Sequence, residues 1–323
     1  MIDVSIIILS YNTKELLRQC LESVVRCLVI GDSERKKKTA STQPLTPNTQ
    51  VIVVDNRSTD GSFEMVQEWW KGRKGIKSIK STTGITQIKL IQNKENFGFA
   101  RGNNQGVKVA SGEYIFFLNS DTIVKSGAII KLVDYLNNYP KIAAVSPLLL
   151  NEDGGIQKDP CYLKFPSPLF VFVYYNKLLR KIANNFFPKL LYSTLDFKNP
   201  SLVDQLPGAA LMIRRQIFEK IGGFDQNFSH FFEDTDLSWR LKKQNYNLIL
   251  VPEAEIVHLG RKSLEPKVKK EGVSSFYLLN FKSLFRFCQK NYKKAETLLI
   301  KAIIFFDLFT RLRLGLIKKL YFE

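Results

Sequence analysis

The stretch Val4–Leu28, VSIIILSYNTKELLRQCLESVVRCL, decides the fold class. Val4 to Leu9 is a nearly continuous β-branched and aliphatic run, the pattern of a strand covered on both faces. After the short polar turn Ser10-Tyr11-Asn12, the residues Leu16, Leu17, Cys20, Leu21, Val24 and Val25 recur at helical spacing. A buried strand feeding an amphipathic helix is the first half of a βαβ unit.

The unit repeats along the chain. Val51–Val54 is a second apolar strand ending at Asp55, and STDGSFEMVQEWW (58–70) opens a helix with Ser, Thr and Asp cap chemistry. A third strand is expected at Ile88–Ile91, a fourth in EYIFFLNSD (113–121), and a helix from about Ser126 to Asn138. This alternation predicts an α/β fold, a parallel sheet with helices on both faces. In such sheets a ligand crevice lies beyond the carboxyl ends of the strands. Standing there are Ser10, Tyr11 and Asn12; Asp55 and Asn56; Asn93 to Asn96; and Asn119, Ser120 and Asp121. Any one of these is an ordinary turn residue or helix cap. Four polar strand ends in a row favour a site for a polar ligand.

The second half is less regular. A strand is expected at Val145–Leu149, then a Pro-broken aromatic stretch to about Pro200, a strand at Ala209–Ile213, and a turn at Gly222-Gly223. A helix then starts in FFEDTDLSWRLKKQNY (231–246), and a strand ends at His258. Gly31–Gln50 and Lys71–Gln87 read as exposed polar inserts.

Composition narrows the class. The chain is 45% hydrophobic and 24% charged, a globular profile, and its formal charge of +18 draws it to polyanions or an anionic membrane face. The four cysteines, Cys20, Cys27, Cys161 and Cys288, show no C-x-x-C spacing, so a reducing cytoplasm is the simplest setting and burial as small hydrophobes the simplest role. The opening residues are strand-like, unlike a signal peptide, and no uncharged apolar run reaches membrane-spanning length.

Several residues carry chemistry. Gly98, Gly102 and Gly106 are spaced by four, which is neither the dinucleotide fingerprint nor a phosphate loop; that spacing puts them on one helix face for close packing. Asp55 suits a pyrimidine imide or a ribose hydroxyl, with Tyr11 against a base, and equally suits capping the turn that follows. Asp121 suits Mg²⁺ or Mn²⁺, or a helix cap. Glu233, Asp234 and Asp236 complement a helix N-terminus, and in a partly desolvated cleft one of them would serve as a general base. His258 stands where a metal ligand would face the crevice, or where a core imidazole would be satisfied.

Taken together, VSIIILSYN, VVDNRSTDGS, NFGFARGNNQG, FLNSD, PGAALMIRR, GGFDQNFSHFFEDTDLSWR and VHLGRKS resemble the family 2 glycosyltransferases, especially their rhamnosyltransferase-like branch. The resemblance runs in order from Val4 to Ser263 and implies a GT-A fold over residues 1–263. It also implies a divalent metal (Mn²⁺ or Mg²⁺) and inverting transfer from a nucleotide-diphosphate sugar to a saccharide or lipid-linked acceptor. Ser10, Tyr11, Asn12 and Asp55 would hold the nucleoside, with Asn96, Arg101, Asn103, Asn119 and Ser120 completing the donor side. Asp121 would bind the metal, His258 would complete its shell, and Asp234 would be the catalytic base. The NSD segment departs from the family's D-x-D, because Asn119 replaces the first acid and brings no charge.

Residues 264–323 read as a basic amphipathic helical extension. From Arg261 onward fifteen Lys or Arg face five Asp or Glu, ten of the eighteen net charges. Such helices suit a membrane interface at the inner face of the cell membrane, or packing on the catalytic domain. A nucleotidyltransferase lacks its glycine-rich basic signature here. A nucleic-acid binder would account for the charge but not for acids and amides at four strand ends, so no nucleic-acid partner is expected.

Overall fold

The computed structural model describes residues 2–36, 47–74, 85–228, 230–260 and 273–321. The first half follows the expected alternation: β1 (Val4–Ser10), α1 (Lys14–Lys36), β2 (Thr49–Asp55), α2 (Ser62–Lys74), β3 (Ile85–Gln92), α3 (Gly98–Lys108) and β4 (Tyr114–Asn119). A short β5 (Thr122–Val124), α4 (Ala128–Asn138) and β6 (Ile142–Leu150) come next. These strands join β7 (Ser201–Leu202), β8 (Ala210–Arg214) and β9 (Asn247–His258) in one nine-stranded sheet of order β3-β2-β1-β4-β8-β6-β9-β5, with β7 on β9.

The sheet is mixed. β3, β2, β1 and β4 run parallel, β8 is antiparallel to both β4 and β6, and β6 pairs parallel with β9. The register levels the strand ends that matter. Ser10 pairs with Asp55, Leu9 with Asn119, and Asp55 with Gln92, so the polar ends predicted from sequence meet along one edge.

Two of the three spaced glycines, Gly102 and Gly106, behave as predicted, while Gly98 starts α3 with a left-handed backbone, φ of 77°. A Cβ on Gly102 would stand 2.4 Å from Leu9 Cδ1, and one on Gly106 would stand 2.6 Å from Ile7 Cγ2. Both are too close for any side chain, so the helix rests directly on β1.

Two expectations need correction. The polar inserts are shorter than expected: α1 continues to Lys36 and β2 begins at Thr49, while α2 reaches Lys74 and β3 begins at Ile85. Residues 37–46 and 75–84 lie outside the described residues. The aromatic stretch is also not irregular, because it holds α5 (Pro168–Tyr175) and α6 (Lys177–Phe186). Ser167 and Asn176 cap their N-termini by accepting from Phe170 N and Leu179 N, and Pro168 sits in the first turn of α5.

Past α7 (Arg215–Lys220) and α8 (Glu233–Lys243), the chain ends in α9 (Val273–Asn291), α10 (Lys294–Thr310) and α11 (Leu314–Tyr321). Arg261, Lys262 and Ser263 of the VHLGRKS motif lie outside the described residues, as does the start of the tail. The terminal helices share a second hydrophobic core with α5 and α6, built on Val171, Phe281, Phe287, Ile300, Ile304 and Leu308. Lys290 of α9 pairs with Asp225 and Asp236 at 2.8 Å each, fastening that core to α8. Among the described residues no helix is long and apolar enough to cross a membrane.

Candidate active site

The edge where β1, β2 and β4 end is stitched by side chains. Ser10 Oγ and Thr13 Oγ1 lie 3.0 Å apart, and Thr13 Oγ1 donates to Ser120 Oγ at 3.1 Å, linking the β1 and β4 termini. Asn12 adopts a left-handed backbone with φ of 54°, which Asn tolerates better than most residues. That conformation lets Asn12 N donate to Ser58 Oγ while Asn12 Oδ1 accepts from Thr59 N at 2.7 Å. Tyr11, between these fixed neighbours, is exposed. Asp60 fastens the same corner by accepting from Lys14 N and from both Ser62 N and Ser62 Oγ, so one carboxylate serves the starts of α1 and α2.

Asp55 closes the turn, as one of its two readings expects, and keeps an oxygen over. Its Oδ2 accepts from Ser58 N at 2.9 Å and closes the turn. Its Oδ1 is buried without a hydrogen-bond partner among the described residues. Burial pushes this carboxyl above its ordinary range, against the pull of Ser58. A ligand donor aimed at Oδ1 would relieve that cost.

A row of amides runs beside it. Asn93 Nδ2 donates to Asn56 Oδ1 and to Gln105 Oε1 at 2.8 Å each, and Asn56 Nδ2 donates to Asn96 Oδ1 at 3.1 Å. Asn96 is thereby held at this edge. Arg101 is exposed, with its guanidinium 3.7 Å from the centre of the Phe97 ring. Asn103 is not brought to the edge: it is buried, and its amide turns back to donate to Phe99 O.

Asp121 and His258 meet through the β5–β9 ladder. Thr122 pairs with His258, Leu259 N donates to Asp121 O at 2.9 Å, and His258 Nε2 lies 3.5 Å from Asp121 Oδ1. Both side chains are largely covered, at 0% exposure for Asp121 and 13% for His258. Among the described residues no third His, Cys, Asp or Glu joins them. Neighbouring ligands of a six-coordinate Mg²⁺-like ion sit about 3 Å apart, so the pair fits two positions of an ion whose other ligands are phosphate and water.

Gln157, which sequence reasoning missed, sets the imidazole. Its Oε1 lies 2.7 Å from His258 Nδ1, while its Nε2 donates to Asn151 Oδ1 at 3.2 Å. With the amide so oriented, Nδ1 carries the proton and Nε2 presents its lone pair toward Asp121.

The three acids of EDTD take three separate roles. Asp236 is fully buried and spent on structure, accepting from Arg240 Nε at 2.7 Å and from Lys290. Glu233 is buried, its Oε1 has no hydrogen-bond partner among the described residues, and desolvation followed by the neighbouring Asp234 pushes its carboxyl up to about 8. Asp234 is half-buried, accepting from Gly208 N at 2.7 Å and from Thr235 N at 2.8 Å. Burial raises its pKa while those N–H groups pull it back.

Gly208 ties Asp234 to the strand ends. Its neighbour Ala209 accepts from Asn119 N at 2.9 Å, so two short steps of backbone connect β4 to Asp234. A Cβ on Gly208 would stand 3.1 Å from Asp234 Oδ2, which is why the glycine of PGAALM belongs there. On the other flank, Phe231 and Phe232 both hold left-handed backbones, with φ of 66° and 67°, a conformation costing of order 1–3 kcal/mol per residue. Helix α9 braces this segment: Ser283 Oγ donates to His230 O, and Phe276 and Phe287 pack on the two rings.

The cysteines are buried, as their sequence setting predicts. All four are free, and desolvation pushes the thiols of Cys20 and Cys27 up to about 12 and about 11.

Comparisons with known proteins place the fold and the family. The N-acetylglucosaminyl-diphospho-decaprenol L-rhamnosyltransferase of Mycobacterium tuberculosis is 25% identical over 224 residues, 64% of this chain and 66% of that protein. Rhamnosyltransferase WbbL of Escherichia coli is 27% identical over 200 residues, 59% of this chain and 70% of that protein. The chain thus spans about two thirds of the length of these relatives. Among solved structures, a mannosyltransferase from Pyrobaculum calidifontis in complex with GDP-Man and Mn²⁺ superimposes with a TM-score of 0.54 at 16% identity, covering 93% of this chain and 69% of that one. GalNAc-T7 with UDP, GalNAc and Mn²⁺ gives 0.56 at 15% identity, covering 90% of this chain and 48% of that one. These likenesses establish the GT-A fold. The model described as "Glycosyl transferase family group 2" matches residues 168–293, and that described as "Glycosyl transferase family 2" matches residues 5–222, two thirds of the sequence. The chain therefore belongs to glycosyl transferase family 2.

Proposed function

We propose that the chain is an inverting glycosyltransferase that moves a sugar from a nucleotide-diphosphate donor to a hydroxyl of a saccharide or lipid-linked acceptor. The observation that carries this reading is the approach of His258 Nε2 to Asp121 Oδ1 at 3.5 Å, beside the strand ends that hold Asp55.

In this reading Asp55 Oδ1 accepts from the nucleoside, and Tyr11 covers its base. Asn96, Asn119 and Ser120 face the donor's hydroxyls and phosphates, with Arg101 at the rim. Asp121 and His258 would hold a divalent ion, Mn²⁺ or Mg²⁺, which would supply positive charge beside the donor's diphosphate. Asp234 takes the proton from the acceptor hydroxyl as that oxygen attacks the anomeric carbon. Its raised pKa strengthens it as a base, and the N–H groups of Gly208 and Thr235 fix its direction. Inversion needs no covalent nucleophile.

The curated relatives named as rhamnosyltransferases make rhamnose the first donor sugar to test. One of them is named for a diphospho-decaprenol acceptor, and this supports a lipid-linked acceptor here, with the C-terminal region at the inner face of the cell membrane. A panel of nucleotide sugars scored by thermal shift in Mn²⁺ tests the reading. One donor is expected to stabilise the protein only with metal present; no response across the panel would contradict it.

A further inference from the structure

Helix α6 turns its apolar side to solvent. Its polar side, Lys177, Arg180, Lys181, Asn184 and Asn185, lines an open surface groove. Leu178, Ile182 and Phe186 recur every fourth residue, forming one stripe along the helix, and are 67%, 40% and 73% exposed. A helix this amphipathic in a globular protein normally buries that stripe. Here only Ala183 of the helix is buried.

The surroundings continue the pattern. Phe187 and Leu190, just past α6, are exposed, as are Leu169 and Phe172 on α5. Helix α5 packs against α10, whose Phe306 and Phe309 are exposed too. From Lys177 to Leu190, KLLRKIANNFFPKL, there are four Lys or Arg and no acid. Aromatic and aliphatic side chains flanked by cations match an anionic bilayer, even with Asp159 lying 3.7 Å from Arg180: the apolar stripe enters the acyl boundary and the cations meet lipid phosphates. A protein partner would need acids facing the cations of this open groove.

We infer that α6 is a membrane-docking helix that inserts Leu178, Ile182 and Phe186 into an anionic lipid surface while Lys177 and Lys181 bind headgroup phosphates. This deepens the membrane part of the proposed function, and it places the anchor in the middle of the chain as well as in the C-terminal helices.

Co-sedimentation of the full chain with vesicles of phosphatidylcholine carrying about 30 mol% phosphatidylglycerol tests it. The triple variant Leu178→Ser, Ile182→Ser, Phe186→Ser changes only exposed side chains, and it is expected to weaken partitioning on the order of tenfold or more. Pure phosphatidylcholine is expected to bind weakly, and Phe186→Trp is expected to blue-shift its emission on anionic vesicles. Unchanged partitioning of the triple variant, with loss in Phe306→Ser, Phe309→Ser, would overturn the role of α6 and leave the C-terminal anchor standing. No vesicle binding by the wild type would overturn both. Self-association that the triple variant abolishes would overturn it in favour of a second copy of this chain as the occupant.

Discussion

Gln157 Oε1 lies 2.7 Å from His258 Nδ1, a contact between residues 101 positions apart that leaves Nε2 facing Asp121. Because the amide nitrogen is committed to Asn151, the oxygen cannot readily trade places with it. Gln157→Leu is expected to weaken Mn²⁺ affinity about 10- to 100-fold in the presence of a nucleoside diphosphate, the usual cost of losing such an orienting partner. Titration followed by electron paramagnetic resonance reads this directly. With two histidines in the chain, nitrogen NMR also reads the tautomer, which is expected to shift toward the Nε2-protonated form. Equal metal affinity in Gln157→Leu and wild type would refute the role.

Asp55 is expected to bind the nucleoside through the oxygen that the turn leaves over. Asp55→Asn keeps the volume and removes the charge, and one of its terminal atoms becomes a donor. Calorimetry with the preferred nucleoside diphosphate is expected to show affinity reduced by about 1.5–3 kcal/mol, the range for a hydrogen bond to a charged group. Unchanged affinity would remove Asp55 from the donor site.

Much of this site is legible in the sequence because it is local. β1, β2 and β4 are apolar runs that stop at polar residues, and parallel pairing then levels those stops. Gly102 and Gly106 announce a close helix contact by spacing alone. What stayed hidden depends on contacts distant in sequence. Nothing near Gln157 signals a partner 101 residues away, and nothing in EDTD separates a carboxylate held by Gly208 from one held by Lys290. The Arg240 partner of Asp236, four residues on, was readable. Helix α5 was missed for another reason: PLFVFVYY is rich in β-branched and aromatic residues, which favour strands, and only the Ser167-Pro168 cap argued for helix, whereas α6 was readable from Leu178, Ile182 and Phe186 at helical spacing behind the Asn176 cap.

Helix α3 is expected to tolerate no side chain at its contact with β1. Gly106→Ala would place a methyl 2.6 Å from Ile7 Cγ2, and overpacking of this kind costs about 1–3 kcal/mol. Gly72→Ala, where nothing lies within 4 Å of the new methyl, is the matched control. Urea denaturation is expected to destabilise Gly106→Ala and leave Gly72→Ala at or above wild type.

Glu233 makes stability depend on pH in a predictable direction. Its carboxyl is raised from an ordinary 4.5 to about 8, so between those values the folded protein keeps a proton that the unfolded chain has lost. Stability is therefore lost as pH rises through that window. Glu233→Gln removes the titration and is expected to stabilise the protein by about 2–4 kcal/mol at pH 9 relative to wild type, with little difference at pH 5. Parallel pH dependences of the two proteins would show that Glu233 ionises freely.

Asp234 carries the central claim, since it alone among the three acids is both half-buried and aimed by backbone donors. As a base it must be deprotonated, so the acid limb of the wild-type rate profile is expected above the ordinary carboxylate range, in line with its raised pKa. The most direct measurement is single-turnover sugar transfer by Asp234→Asn, with donor affinity measured on the same preparation. The predicted result is transfer slowed on the order of 10²- to 10⁴-fold with donor affinity within about twofold of wild type. Transfer at the wild-type rate would contradict the assignment of Asp234 as the base.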